Sequence, residues 1–115
     1  MVATINADGT PQQTVLWYAL QGDTIVMNTA RGRLKDRNLL HDPRISFCIE
    51  DAYRYLTIRG TATLDDDQAH AQADVARIAR RYTPVERLDQ QVASFRTEER
   101  VTIRMTIDHV HARGI

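Results

Sequence analysis

The sequence predicts a mostly β protein: a six-stranded antiparallel barrel with short helices. Three observations carry this. Glycine-containing turn signals separate stretches of strand length, the closing segment alternates between apolar and polar residues, and helical spacing is confined to short stretches. Few connecting helices favour a closed antiparallel barrel over a parallel sheet, and closure removes the edges that a small sheet would expose.

The elements follow in order. Val2 to Ala7 is rich in β-branched residues and ends in Asn6-Ala7-Asp8-Gly9, where glycine takes positive φ without steric cost. Pro11 permits a strand start, and a second strand is expected from Gln12 to Gln21. Gly22 turns the chain into a third strand, Thr24 to Thr29, giving an antiparallel meander. Ala30-Arg31-Gly32 breaks the pattern, and Arg33 to His41 is a short helix stopped by Asp42-Pro43. Ile45, Phe47 and Ile49 alternate with Ser46, Cys48 and Glu50 as a half-buried strand. Tyr55 to Leu64 is another strand, with Gly60 a bulge or a close backbone approach.

Asp65-Asp66-Asp67 places carboxylates where a helix begins, and Ala71, Val75, Ile78, Ala79 and Tyr82 then recur at helical spacing up to Thr83-Pro84. A further helical piece is expected around Leu88 to Phe95. In the closing strand Val101, Ile103, Met105 and Ile107 alternate with Thr102, Arg104, Thr106 and Asp108.

The 115 residues suit one domain spanning 1–115, and 43% hydrophobic with 26% charged residues is an ordinary globular balance. Met1 is followed at once by a strand, so the chain either opens on it or continues a natural segment that precedes it. Fifteen basic residues cancel fifteen acidic ones, which argues against a chain-wide attraction to nucleic acid or membrane. No apolar run approaches a membrane span, and the single Cys48 forms no internal disulfide, so a reducing cytoplasm is expected.

Arg31-Gly32-Arg33-Leu34-Lys35-Asp36-Arg37 holds four cations and one anion where a strand gives way to a helix. Free backbone N–H groups and the positive end of a helix dipole suit a phosphate there. Arg33 offers a planar fork and Lys35 a point charge, although a solvated basic turn is an equally open reading of composition alone. No nucleophile elbow surrounds Ser46 or Ser94, and His109 and His111 share a strand face without a third ligand nearby. No catalytic residue and no metal ligand is assigned.

The run Asn28-Thr29-Ala30-Arg31-Gly32-Arg33-Leu34-Lys35-Asp36-Arg37-Asn38-Leu39, with Asp42-Pro43-Arg44-Ile45-Ser46 after it, resembles the pyridoxamine phosphate oxidase-like, FMN-binding split-barrel superfamily. Val2 to Gln12 is similar to its first hairpin and Tyr55-Leu56-Thr57-Ile58-Arg59-Gly60 to a later strand. Gly32 to Leu39 has the form typical of the branch that uses the deazaflavin F420. Classical members carry an Arg and a Lys at positions that match Gln13 and Tyr18 here, and neither of these is charged.

The resemblance implies a homodimeric split barrel with the cofactor in a groove at the dimer interface. Arg33 and Lys35, with Leu34 between them, would bind the cofactor phosphate, helped by Asn28 and Thr29. The ring would lie along Val15, Leu16 and Trp17, with Gln12 near the tail or phosphate. Trp17 has a second reading as a core residue. The expected function is hydride transfer from reduced F420 to an unsaturated or conjugated small molecule. FMN-dependent oxidase or reductase chemistry and non-catalytic F420 carriage are the alternatives.

Overall fold

Glycine at positive φ closes both of the first two turns, with Gly9 at 88° and Gly22 at 58°. Each turn joins a hairpin, but the hairpins belong to different sheets. The computed structural model, which describes residues 1–114, pairs β1 (Val2–Ile5) with β2 (Pro11–Thr14) and β3 (Ala19–Gln21) with β4 (Thr24–Ala30). The expected Gln12–Gln21 strand is therefore two short strands separated by an irregular segment at residues 15–18. The chain leaves one sheet at Thr14 and joins another at Ala19, so no single ladder runs through it.

After β4 come α1 (Leu34–His41), β5 (Arg44–Asp51), β6 (Arg54–Asp65), α2 (Gln68–Tyr82), α3 (Val85–Arg96), β7 (Arg100–Thr106) and β8 (His109–Arg113). The expectation of six strands is corrected to eight: the second strand is split, and β8 adds a ladder on β6. The antiparallel path runs β2-β1-β5-β6-β7-β4-β3. No pairing joins its two ends among the described residues, and the barrel is split rather than closed by hydrogen bonds.

The long strand β6 holds the two halves together. Tyr55 to Arg59 pairs with β8, while Ala62 to Asp65 pairs with β7. Gly60 lies at the crossover, where a Cβ atom would fall 1.9 Å from the Thr106 carbonyl oxygen. The glycine is there because another backbone passes through the space a side chain needs.

Alternation along the strands builds the interior. Ile25, Met27, Phe47, Ile103 and Met105 are almost wholly enclosed and meet Val2, Leu39, Ile45 and Ile58. Helix α2 covers the other face of β4 and β7, burying Ile78 against Val26 and Ala19. Its start matches the acidic expectation: Asp67 is the N-cap, and its side chain accepts from the His70 amide at 3.0 Å. Helix α3 extends beyond Leu88–Phe95 at both ends and has no buried residue.

Candidate functional site

The strand β4 ends and α1 begins at a braced corner. Asp36 is 1% exposed and accepts from the Gly32 amide at 2.8 Å and from Arg31 through Nε and NH2, both at 3.1 Å. Arg31 also donates to Asp66 at 2.8 Å, tying the corner to the start of α2. Burial pushes the Asp36 carboxyl up, but the Arg31 and Gly32 hydrogen bonds and the Arg31 charge outweigh it and hold it below the usual range. Arg31 is consequently spent on structure, and Gly32 turns the chain at φ 88°.

Two more cations lie one step further, and Arg33 meets only the Glu98 carboxylate, at 3.7 Å. Arg33 is the N-cap of α1 and makes no side-chain cap hydrogen bond. Among the described residues, the first-turn amides of Leu34, Lys35 and Asp36 have no acceptor. Lys35 is half-buried and has no carboxylate partner among those residues. Burial, followed by the charges of Arg33 and Arg100, holds its ammonium below the usual lysine range. An unpaired, half-buried cation that feels the charges of Arg33 and Arg100, on a helix turn with free amides, is a donor set that wants an anion. Leu34 projects beside it, 42% exposed.

Sequence reasoning missed Arg100. It is 5% exposed, donates through Nε to Asn28 Oδ1 at 2.8 Å and lies 4.7 Å over the Phe95 ring. Only the ladder register, which sets Arg100 opposite Ala30, brings it to this corner from so far along the chain. A basic residue at a strand start carries no such signal in sequence.

Asn28 and Thr29 end the same strand but face opposite ways. The Asn28 amide nitrogen donates to the Ala71 carbonyl at 3.0 Å and to Thr102 Oγ1 at 3.3 Å, while its Oδ1 accepts from Arg100, so Asn28 ties the α2 face to the corner. Thr29 points inward, 1% exposed, and its hydroxyl is enclosed without a partner.

The second part of the site is the irregular stretch between β2 and β3. Val15 is 85% exposed, while Leu16 packs on the core. No backbone N–H or C=O of Val15, Leu16 or Trp17 is hydrogen-bonded among the described residues. The stretch is held from one side only. Trp17 stacks flat on Tyr82 and packs, partly buried, on Ala19, Val26 and Ile78. Arg81 NH1 donates to the Tyr18 carbonyl at 2.6 Å, and the Tyr82 hydroxyl donates to the same oxygen at 3.3 Å. Val15, Leu16 and Tyr18 line a groove of about 320 Å³ with Phe47, Ile49 and Tyr82.

Gln12 lies on β2, its side-chain oxygen accepting from Thr4 at 3.0 Å. It lines neither the Val15–Leu16 groove nor the Arg33–Lys35 corner. The groove that holds Val15 and Leu16 is not lined by Arg33, Leu34 or Lys35. A separate groove of about 510 Å³, lined by Ala3, Ile5, Ser46, Arg59, Thr61 and His109 among others, contains none of the expected site residues.

Known proteins agree with this architecture. The structure is similar to that of the conserved hypothetical protein Rv2991 from Mycobacterium tuberculosis, at 27% identity and TM-score 0.81, covering 96% of this chain and 73% of that one. An F420 reductase matches at 25% identity and TM-score 0.75, covering 96% and 86%. HutZ, the heme storage protein from Vibrio cholerae, shares the fold at 18% identity and TM-score 0.75, covering 99% and 84%. The profile of the pyridoxamine 5'-phosphate oxidase family matches residues 1–114, and the chain belongs to that family.

Proposed function

We propose that the chain binds the deazaflavin F420 by its phosphate at the Arg33–Lys35 corner. There it positions the reduced cofactor to deliver hydride to an unsaturated or conjugated small molecule. The observation that carries this reading is Lys35, an unpaired and partly desolvated cation flanked by Arg33 and Arg100. Such a residue is a standing electrostatic cost unless an anion joins it. The similarity to an F420 reductase and the uncharged Gln13 and Tyr18 favour F420 over FMN.

The residues present fit such a group. The Arg33 fork, the Lys35 ammonium and the free amides of α1 would hold the phosphate. The unpaired backbone donors and acceptors from Val15 to Trp17 would take the polar edge of a flat heterocycle, while Leu16 gives it an apolar face. The bound cofactor supplies the hydride; the protein contributes binding, orientation and exclusion of water. In this reading a second copy of the chain completes the groove, since neither half of the site encloses a ligand alone.

Titration of the purified protein with F420 and with FMN tests the proposal. Micromolar F420 affinity with weaker FMN affinity is expected. Tight FMN binding without F420 affinity would replace it with FMN-dependent chemistry on the same anchor. F420 binding without reduction of any quinone-like or enone substrate would make the protein a carrier.

A further inference from the structure

An acid already occupies the corner. Glu98 sits on the link between α3 and β7, and its two carboxylate oxygens face two different guanidinium groups. Oε1 is 3.0 Å from Arg100 NH1 and Oε2 is 3.7 Å from Arg33 NH2. The backbone that carries it is held in place. Gln72 Nε2 donates to the carbonyls of Glu98 and Phe95 at 3.1 and 3.0 Å, and the Arg31 amide donates to the Glu99 carbonyl at 2.8 Å. Arg100 is fixed in turn by Asn28 and the Phe95 ring. Glu98 thus bridges Arg33 and Arg100 as a bidentate oxyanion would, while Lys35 beside them stays unpaired among the described residues.

We propose that Glu98 is a charge-selectivity residue, which disfavours doubly charged phosphomonoesters at this corner relative to singly charged phosphodiesters. The proposal rests on the reading of the corner as a phosphate site. A fixed carboxylate repels an incoming anion in proportion to that anion's charge, so its effect on log affinity doubles from a monoanion to a dianion. A ligand that takes both guanidinium groups must also displace Glu98 from them. FMN ends in a monoester that is close to doubly charged near neutral pH, whereas the phosphate of F420 is a diester with one charge. At this corner Glu98 therefore favours the phosphate group of the deazaflavin over that of FMN, without touching either ring.

The test compares the full-length protein with its Glu98→Gln variant, which keeps the side-chain shape at a position one-third exposed. Each is titrated at about pH 8 with inorganic phosphate, chiefly the dianion there, and with dimethyl phosphate, a monoanionic diester, following the amide resonances of Leu34, Lys35 and Asp36. Glu98→Gln should gain about threefold for dimethyl phosphate and about tenfold for inorganic phosphate, the square relation expected from charge. Equal gains, or none, with responsive amides would overturn the selectivity role. If neither anion moves those amides in either protein, the anchor and the selectivity fall together. A changed ratio in a protein that ignores F420 supports Glu98 and sinks only the choice of cofactor.

Discussion

Trp17 and Tyr82 stack with centroids 5.2 Å apart and planes 2° from parallel, joining the stretch between β2 and β3 to the last turn of α2. The guanidinium of Arg81 lies 4.9 Å from the Tyr18 ring centroid and 5.2 Å from that of Tyr82, so the contact is aromatic, cationic and hydrogen-bonded together. A helix on the outside of the barrel thereby sets the path of the segment whose free backbone groups form half of the candidate site.

Tyr82→Ala should cost about 1–2 kcal/mol of stability through the lost stack. It should also weaken binding of the whole cofactor while leaving inorganic phosphate affinity unchanged. Tyr82→Phe keeps the ring and should retain most of both. Thermal unfolding and two parallel titrations measure this, and an equal loss for cofactor and phosphate would place the effect of Tyr82 on the whole fold instead.

Lys35→Met separates binding from stability. The stem length is kept and a cation repelled by its neighbours is removed, so stability should stay within about 0.5 kcal/mol of the parent or rise. Cofactor affinity should fall at least about tenfold, and the double replacement of Arg33 and Lys35 by Ala should abolish it in a folded protein. Because the ammonium titrates below the ordinary lysine value of 10.5, affinity in the parent should decline as pH rises through that lowered value. The decline should be absent in Lys35→Met. Unchanged affinity in the folded double variant refutes the anchor.

Much of this was legible in the chain, and the physical reasons differ by element. Asp8-Gly9 and Gly22 fix turns locally, β7 shows its buried face by alternation, and Asp67 caps a helix within three residues; each signal is short-range. The basic cluster from Arg31 to Arg37, from which the proposed anchor is drawn, was readable for the same reason, lying on one strand-to-helix turn. The break at residues 15–18 was not, because Val15, Leu16, Trp17 and Tyr18 all suit a strand and it is Arg81 and Tyr82, far along the chain, that make an irregular path favourable. Arg100 and Glu98 were invisible for a related reason: only the register between β4 and β7 brings them to Arg33.

Asp36→Ala should cost about 2–4 kcal/mol, since it strips a nearly buried partner from Arg31 and leaves the Gly32 amide without its acceptor. The depressed folded value also gives a pH signature. A carboxyl held below its unfolded value of 3.8 adds stability above that pH and loses it as the pH falls through the folded value. Acid unfolding of the parent should therefore steepen below about pH 4, and Asp36→Asn should flatten that limb. Denaturant midpoints measured across this range decide it; an unchanged slope in Asp36→Asn assigns the acid limb to other carboxylates.

Gly60→Ala tests whether the split in the barrel depends on one missing side chain. The added methyl would lie 1.9 Å from the Thr106 carbonyl oxygen and 2.9 Å from its carbon, both backbone atoms that no rotamer change can move. Relief requires β6 and β7 to part where the Thr61 amide donates to Thr106 Oγ1 at 3.0 Å and where the β8 ladder begins at Arg59. A loss above about 3 kcal/mol is expected, from the steric clash and the core pairing it breaks. Hydrogen exchange should locate it, with protection lost first along Arg59 to Ala62 and Met105 to His109 while the β3–β4 hairpin keeps its own. A variant of parental stability would mean that β6 bends for another reason.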